Sequence, residues 1–120
     1  MNTVTQNTEP GFGLDNSVIV KMRNIFAGVP SVEEAIIYGS RAKGDYRPGS
    51  DIDLTIKGAN VTWQDLQRIE RKMDDLLLPY KMDLSLYEQI DNKNLLDHIN
   101  RVGKVFYTKV ENDDITRHPG

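Results

Sequence analysis

Apolar residues along this chain change their period several times, and each change marks an element. Leu14, Val18, Met22, Ile25, Phe26 and Val29 recur at steps of three and four, which stacks them on one face of a helix. Asp15, Asn16 and Ser17 offer caps at its start, and Gly28 with Pro30 ends it. Ala35-Ile36-Ile37-Tyr38 is an unbroken run of strand formers stopped by glycine, the pattern of a buried strand. A basic, glycine-rich loop follows, with room for one helical turn at Ser40–Lys43. Arg47-Pro48-Gly49-Ser50 has turn chemistry and delivers the chain into Asp51–Lys57. There, strict alternation sends Asp51, Asp53 and Thr55 to one face and Ile52, Leu54 and Ile56 to the other.

Thr62 caps a long helix predicted to run to about Leu78, with Leu66, Ile69, Met73 and Leu76-Leu77 as its buried stripe, Trp63 packing at its start and Pro79 as its terminator. Alternation returns in Lys81–Tyr87, where Met82, Leu84 and Leu86 share one face and Asp83 and Ser85 the other. Asn92 or Asn94 caps a last helix bearing Leu95, Leu96, Ile99 and Val102, closed by Gly103 ahead of the short apolar segment Val105-Phe106-Tyr107. Helices interleaved with strands in this order predict a small α/β (α+β) domain in which helices back a sheet. At 120 residues there is room for one such core. Residues 14–110 are expected to form it, with 1–13 as a flexible leader and 111–120 as a flexible tail.

Composition narrows the function. The 38% hydrophobic and 28% charged content is ordinary for a soluble domain, and the longest apolar runs are far too short to span a bilayer, so no membrane role is expected. The polar N-terminal stretch lacks the basic and apolar regions of a signal peptide, which predicts a cytoplasmic protein. No cysteine is present, which excludes thiolate ligands and nucleophiles. A net charge of −3 disfavours binding of long nucleic acid, whose affinity rests on a basic surface. A small phosphate ligand needs only local charge, and Arg41, Lys43 and Arg47 supply it within one loop.

The chemistry concentrates in Ile37–Leu54. Two carboxylates on one strand face, with Cα atoms roughly 7 Å apart, repel each other unless a cation sits between them. Asp51 and Asp53 with Asp83 from another strand offer hard oxygen ligands suited to Mg²⁺ or Mn²⁺, with coordination positions left for phosphate oxygens. Upstream, Gly39 permits close backbone approach and Ser40 offers a hydroxyl and an N–H, so metal and loop together would clamp a nucleoside triphosphate. Gly39 and Gly44 have the glycine spacing of a P-loop, but Asp45-Tyr46 stands where that loop needs Lys-Ser/Thr.

Gly39-Ser40-Arg41-Ala42-Lys43-Gly44, followed by Ser50-Asp51-Ile52-Asp53-Leu54 with ten residues between Ser40 and Asp51, resembles the signature of the DNA polymerase β-like nucleotidyltransferase superfamily. It is most similar to its minimal branch, the MNT family, and the similarity extends from about Leu14 to Tyr107, including Pro79–Leu84. The resemblance implies a small mixed sheet backed by helices and transfer of AMP from ATP to an acceptor hydroxyl. It implies that Asp51 and Asp53 hold two Mg²⁺ ions and that Asp83 completes the first metal site and helps deprotonate the acceptor. Gly39 and Ser40 would hold the β- and γ-phosphates, with Arg41 adding charge there. It also implies a role as the antitoxin of a HEPN/MNT pair, modifying a helical HEPN toxin encoded by an adjacent gene. Larger relatives carry a second domain that grips the acceptor, and this chain has no room for one.

Other readings stand beside these. The same chemistry could serve a small hydroxyl compound such as an aminoglycoside, with a separate helical subunit, or the chain could neutralise a partner by cover alone. Asp51 and Asp53 could cap loop amides, Asp83 could be an exposed strand residue, and Arg41 a surface cation paired with Asp45. His98 and His118 are expected in solvent. Tyr38, Tyr46 and Tyr87 are expected to pack, with Tyr46 placed to touch a base.

Overall fold

The computed structural model of the chain describes residues 11–109. Residues 1–10 of the leader expected at 1–13, and the tail expected at 111–120, lie outside them. Helix α1 (Asn16–Ala27) leads into strand β1 (Glu34–Tyr38), a single turn α2 (Ser40–Lys43) and β2 (Ile52–Lys57). Then follow α3 (Trp63–Asp74), β3 (Met82–Leu86), α4 (Lys93–Val102) and β4 (Lys104–Thr108). The strands form one sheet in the order β3-β2-β1-β4. β1 is antiparallel to both β2 and β4, while β2 and β3 are parallel, as a crossover through α3 requires. The sheet is therefore mixed and backed by helices, as the resemblance implies. No helix among the described residues is long and apolar enough to cross a membrane.

Alternation along the strands splits the sheet into two unequal faces. One carries Ala35, Ile37, Ile52, Leu54, Ile56 and Phe106, which pack with Ile19, Met22 and Phe26 of α1 and Leu66, Ile69 and Met73 of α3 in the main core. The other carries Ile36 and Tyr38, packed with Ile99 of α4 and flanked by Leu95, Val102, Tyr87 and Ile90. The hydrophobic core is thus built on one face, and α4 covers part of the opposite one. That second face also carries Asp53 and Asp83.

The element boundaries move where local chemistry outweighs period. α3 ends at Asp74 instead of near Leu78. Asp74 and Asp75 place two negative charges at the negative end of the helix dipole, and Pro79 disfavours helix in the residue before it. Leu77 then turns the chain at φ 55° and is 86% exposed, so it leaves the stripe expected of it. At the other end, Thr62 and Asp65 form a reciprocal capping box, and Asp65 also accepts from the Ser31 hydroxyl at 2.7 Å. Trp63, expected to pack, is 58% exposed at the first position of α3. The apolar segment after Gly103 is a full strand, paired with β1 along the sheet edge. Gly11–Gly13 forms a short turn before α1, and Phe12 packs against the core with its ring 5.9 Å from that of Phe106, so ordered structure begins ahead of Leu14.

Candidate active site

β1 ends at Tyr38, and the chain leaves it through Gly39 at φ 75° and ψ −157°, a region in practice open only to glycine. A Cβ on Gly39 would strike the carboxylate of Asp53. The reason for glycine here is therefore double: the backbone angle and the close approach to an acid. Ser40 opens α2, where helix geometry leaves the first amides without carbonyl partners. The Gly39 carbonyl accepts from the amides of Ala42 and Lys43 at 3.2 and 3.1 Å, which fixes the turn from its far side.

The acids meet through strand register. Asp53 lies opposite Tyr38 in the antiparallel pair and opposite Asp83 in the parallel pair. The structure thus brings Asp53 and Asp83 side by side at the mouth of the Gly39-Ser40 turn, with Asp51 exposed two residues before Asp53. Burial pushes the Asp53 carboxyl above its ordinary range, and the neighbouring charges of Asp83 and Asp51 push it the same way. Burial, then the charges of Asp83 and Asp53, raise the Tyr38 phenol as well. Among the described residues no three acidic, histidine or cysteine side chains already converge on one point. The three aspartates form a row, Asp51 and Asp83 exposed and Asp53 half-buried, whose electrostatics favour a cation. Further from the mouth on this face, the Ser85 hydroxyl donates to Thr55 Oγ1 at 3.0 Å, tying β2 to β3 behind the aspartates.

Arg41 does not face this row. It is 2% exposed, and its guanidinium donates to the backbone carbonyls of Phe12 at 2.9 Å and of Ser50 at 2.9 and 3.1 Å, with a longer contact to Pro48 at 3.4 Å. The rings of Tyr46 and Tyr80 lie 5.3 and 4.8 Å from its centre. Arg41, expected to add charge at the phosphates, has its donors engaged in closing the loop between α2 and β2 onto the turn before α1. Nor does it pair with Asp45, which sits 3.5 Å from Lys43 in an exposed ion pair. Tyr46, expected to pack or touch a base, packs on Arg41. Arg47 is exposed, and its amide donates to Ser50 Oγ at 2.8 Å within the turn.

One residue at the site was not foreseen. His98, expected in solvent, accepts the Gly39 amide on Nε2 at 3.2 Å. Its ring stands edge-on to Tyr38, with centroids 6.1 Å apart. Helical period places position 98 on the shoulder of the Leu95, Ile99 and Val102 stripe, but nothing in the sequence says that this shoulder meets the end of β1.

The geometry has known counterparts. The model of the family "Polymerase beta, Nucleotidyltransferase" matches residues 20–112 of the chain. No curated protein matches it significantly in sequence. A solved toxin–antitoxin structure with AMP-PNP superposes with a TM-score of 0.60 at 20% identity, over 86% of this chain and 80% of that one. A tri-AMPylated Shewanella oneidensis HEPN toxin in complex with MNT antitoxin gives 0.59 at 16% identity, over 86% and 79%. A MntA-HepT toxin–antitoxin gives 0.57 at 16% identity, over 85% and 79%. At these identities the likeness establishes a shared fold.

Proposed function

Because this chain belongs to the polymerase β nucleotidyltransferase family, we propose that it transfers AMP from ATP to a hydroxyl of a helical HEPN-type partner protein, acting as the antitoxin that neutralises it. The observation that carries the reading is the juxtaposition of Asp53 and Asp83 in register, with Asp53 pressed against the Gly39-Ser40 turn. The structural relatives support the choice of nucleotide and acceptor: one toxin–antitoxin holds AMP-PNP, and another contains an AMPylated HEPN toxin.

The aspartates fit divalent metal in donor type and in electrostatics. Asp51, Asp53 and Asp83 are hard oxygen donors of like charge; burial first, then the charges of Asp83 and Asp51, raise the Asp53 carboxyl, and a cation would relieve the repulsive part. Asp51 and Asp53 would hold two Mg²⁺ ions, with Asp83 joining one of them; Mn²⁺ meets the same donors. When bound, such ions neutralise phosphate charge and favour deprotonation of the attacking hydroxyl.

The chain's own groups do the rest. Ser40, through its hydroxyl and amide, binds the β- and γ-phosphates, and Gly39 keeps the backbone low enough for them to approach Asp53. Asp83, exposed at the sheet edge, receives the proton of the acceptor hydroxyl as its oxygen bonds to the α-phosphorus. The bond from the α-phosphorus to the bridging oxygen breaks, and pyrophosphate leaves. Lys43 and Arg47, both exposed in the loop beside the turn, add positive potential for the incoming triphosphate. A cytoplasmic location, where ATP is abundant, fits this reading. Incubation with Mg²⁺, α-labelled ATP and the adjacent gene's product tests the proposal: label should enter the partner protein, and label confined to ATP with a folded, partner-bound chain contradicts it.

A further inference from the structure

Helix α4 reaches the site through one side chain. Ile99, 3% exposed, packs with Ile36 and Tyr38 and fixes the helix on the sheet, so the adjacent His98 is carried to the end of β1. There its Nε2 accepts the Gly39 amide at 3.2 Å, across 59 residues of sequence. An acceptor at Nε2 requires the neutral imidazole with its proton on Nδ1. Gly39 is a residue with unusual backbone freedom, held in a conformation that other residues avoid. Its carbonyl is already engaged by α2, so the bond from His98 secures the remaining polar group of that residue.

We propose that His98 is a positioning residue of the nucleotide subsite: by accepting the Gly39 amide it fixes the peptide plane from which Ser40 is presented beside Asp53. The ligand served is the triphosphate of a nucleotide, so the assignment rests on the phosphate-holding role proposed for the Gly39-Ser40 turn. The position calls for an acceptor that is long enough and uncharged. A carboxylate would take the same hydrogen bond but would add negative charge next to Asp53, Asp83 and the phosphates. An alkyl side chain would leave the amide without a partner and the turn free to rotate.

Three variants of the full chain separate these roles, each compared with wild type for binding of a non-hydrolysable ATP analogue in Mg²⁺ and for amide hydrogen exchange at Gly39 in the free protein. His98→Ala should weaken binding by about tenfold, the scale of one lost neutral hydrogen bond, and should accelerate Gly39 exchange. His98→Gln, whose side-chain oxygen reaches where Nε2 lies, should restore both to within about twofold of wild type. His98→Glu should keep Gly39 protected yet bind the analogue as weakly as His98→Ala or more weakly. A folded His98→Ala chain with wild-type affinity and wild-type Gly39 exchange overturns the assignment, as does a folded His98→Gln chain that restores neither. A wild-type chain that protects Gly39 but does not bind the analogue overturns the nucleotide reading itself, and the positioning role with it.

Discussion

Asp53 and Asp83 stand directly opposite each other in the parallel pair of β2 and β3, two acids on adjacent strands with no cationic side chain bonded to either among the described residues. Such an arrangement costs stability when both are ionised, and burial of Asp53, followed by the charge of Asp83, raises the Asp53 carboxyl. In the folded chain Asp53 holds its proton to higher pH than in the unfolded chain, so its ionisation above that range weakens the metal-free fold. Asp53→Asn should therefore raise the melting temperature of the metal-free protein at neutral pH while abolishing AMP transfer. Added Mg²⁺ should stabilise wild type more than the variant, by ligand linkage. Calorimetry with and without Mg²⁺ checks this, and a metal-free variant less stable than wild type counts against it.

Arg41 is a fastener of the loop, so its loss should read out in folding before chemistry. Arg41→Ala leaves the carbonyls of Phe12 and Ser50 without their donors and empties the space between Tyr46 and Tyr80, at an expected cost of about 3 kcal/mol. Arg41→Lys should recover less than half of this, because an ammonium cannot reproduce the planar fork. Chemical denaturation measures both. A phosphate-binding arginine would show the opposite pattern, with stability intact and ATP affinity lost.

Gly39→Ala combines a forbidden backbone angle with a collision against Asp53. The strained conformation alone costs on the order of 1–3 kcal/mol, and relief of the collision requires the Asp53 carboxylate or the turn to move. The variant should be folded but without measurable transfer, whereas Gly44→Ala should lose some stability from its φ of 93° and keep its chemistry, because a Cβ there meets nothing. Comparing the two variants by circular dichroism and transfer rate tests whether the glycine at the turn serves the site.

The capping box gives a pH-dependent control remote from the chemistry. The Ser31 hydroxyl, followed by the Thr62 amide, holds the Asp65 carboxyl below its ordinary value. A carboxylate with a depressed pKa contributes stability that is present above the unfolded-state value and is lost as pH falls through the folded-state value. Asp65→Asn should lower the melting temperature at neutral pH, and the gap to wild type should close on acidification. Transfer by the folded variant should remain at the wild-type rate.

Much of this site was legible in the chain, because strand alternation is a strict rule. A period of two puts Asp51 and Asp53 on one face of β2 and Asp83 on one face of β3, and Gly39-Ser40 at a strand end follows from residue type alone. Alternation does not give register, and the pairing of Asp53 with Asp83 comes from the way α3 returns the chain. Side chains that bridge distant segments were the least visible. Arg41 looks from sequence like one more loop cation, and only the approach of Phe12, Pro48 and Ser50 turns it inward. His98 looks like a polar helix residue until α4 is seated on Ile36 and Tyr38. α3 stops early because local charge and Pro79 override a hydrophobic period that continues through Leu76-Leu77-Leu78.

The most direct test of the central claim is the intact mass of the HEPN-type partner after incubation with this chain, ATP and Mg²⁺, alongside the Asp53→Asn and Asp83→Asn variants. The account predicts a gain of one or more AMP masses with wild type, on hydroxyl-bearing side chains, and none with either variant, although both still bind the partner. An unmodified partner that is nevertheless neutralised, equally by wild type and by both variants, would contradict it and leave steric cover as the function.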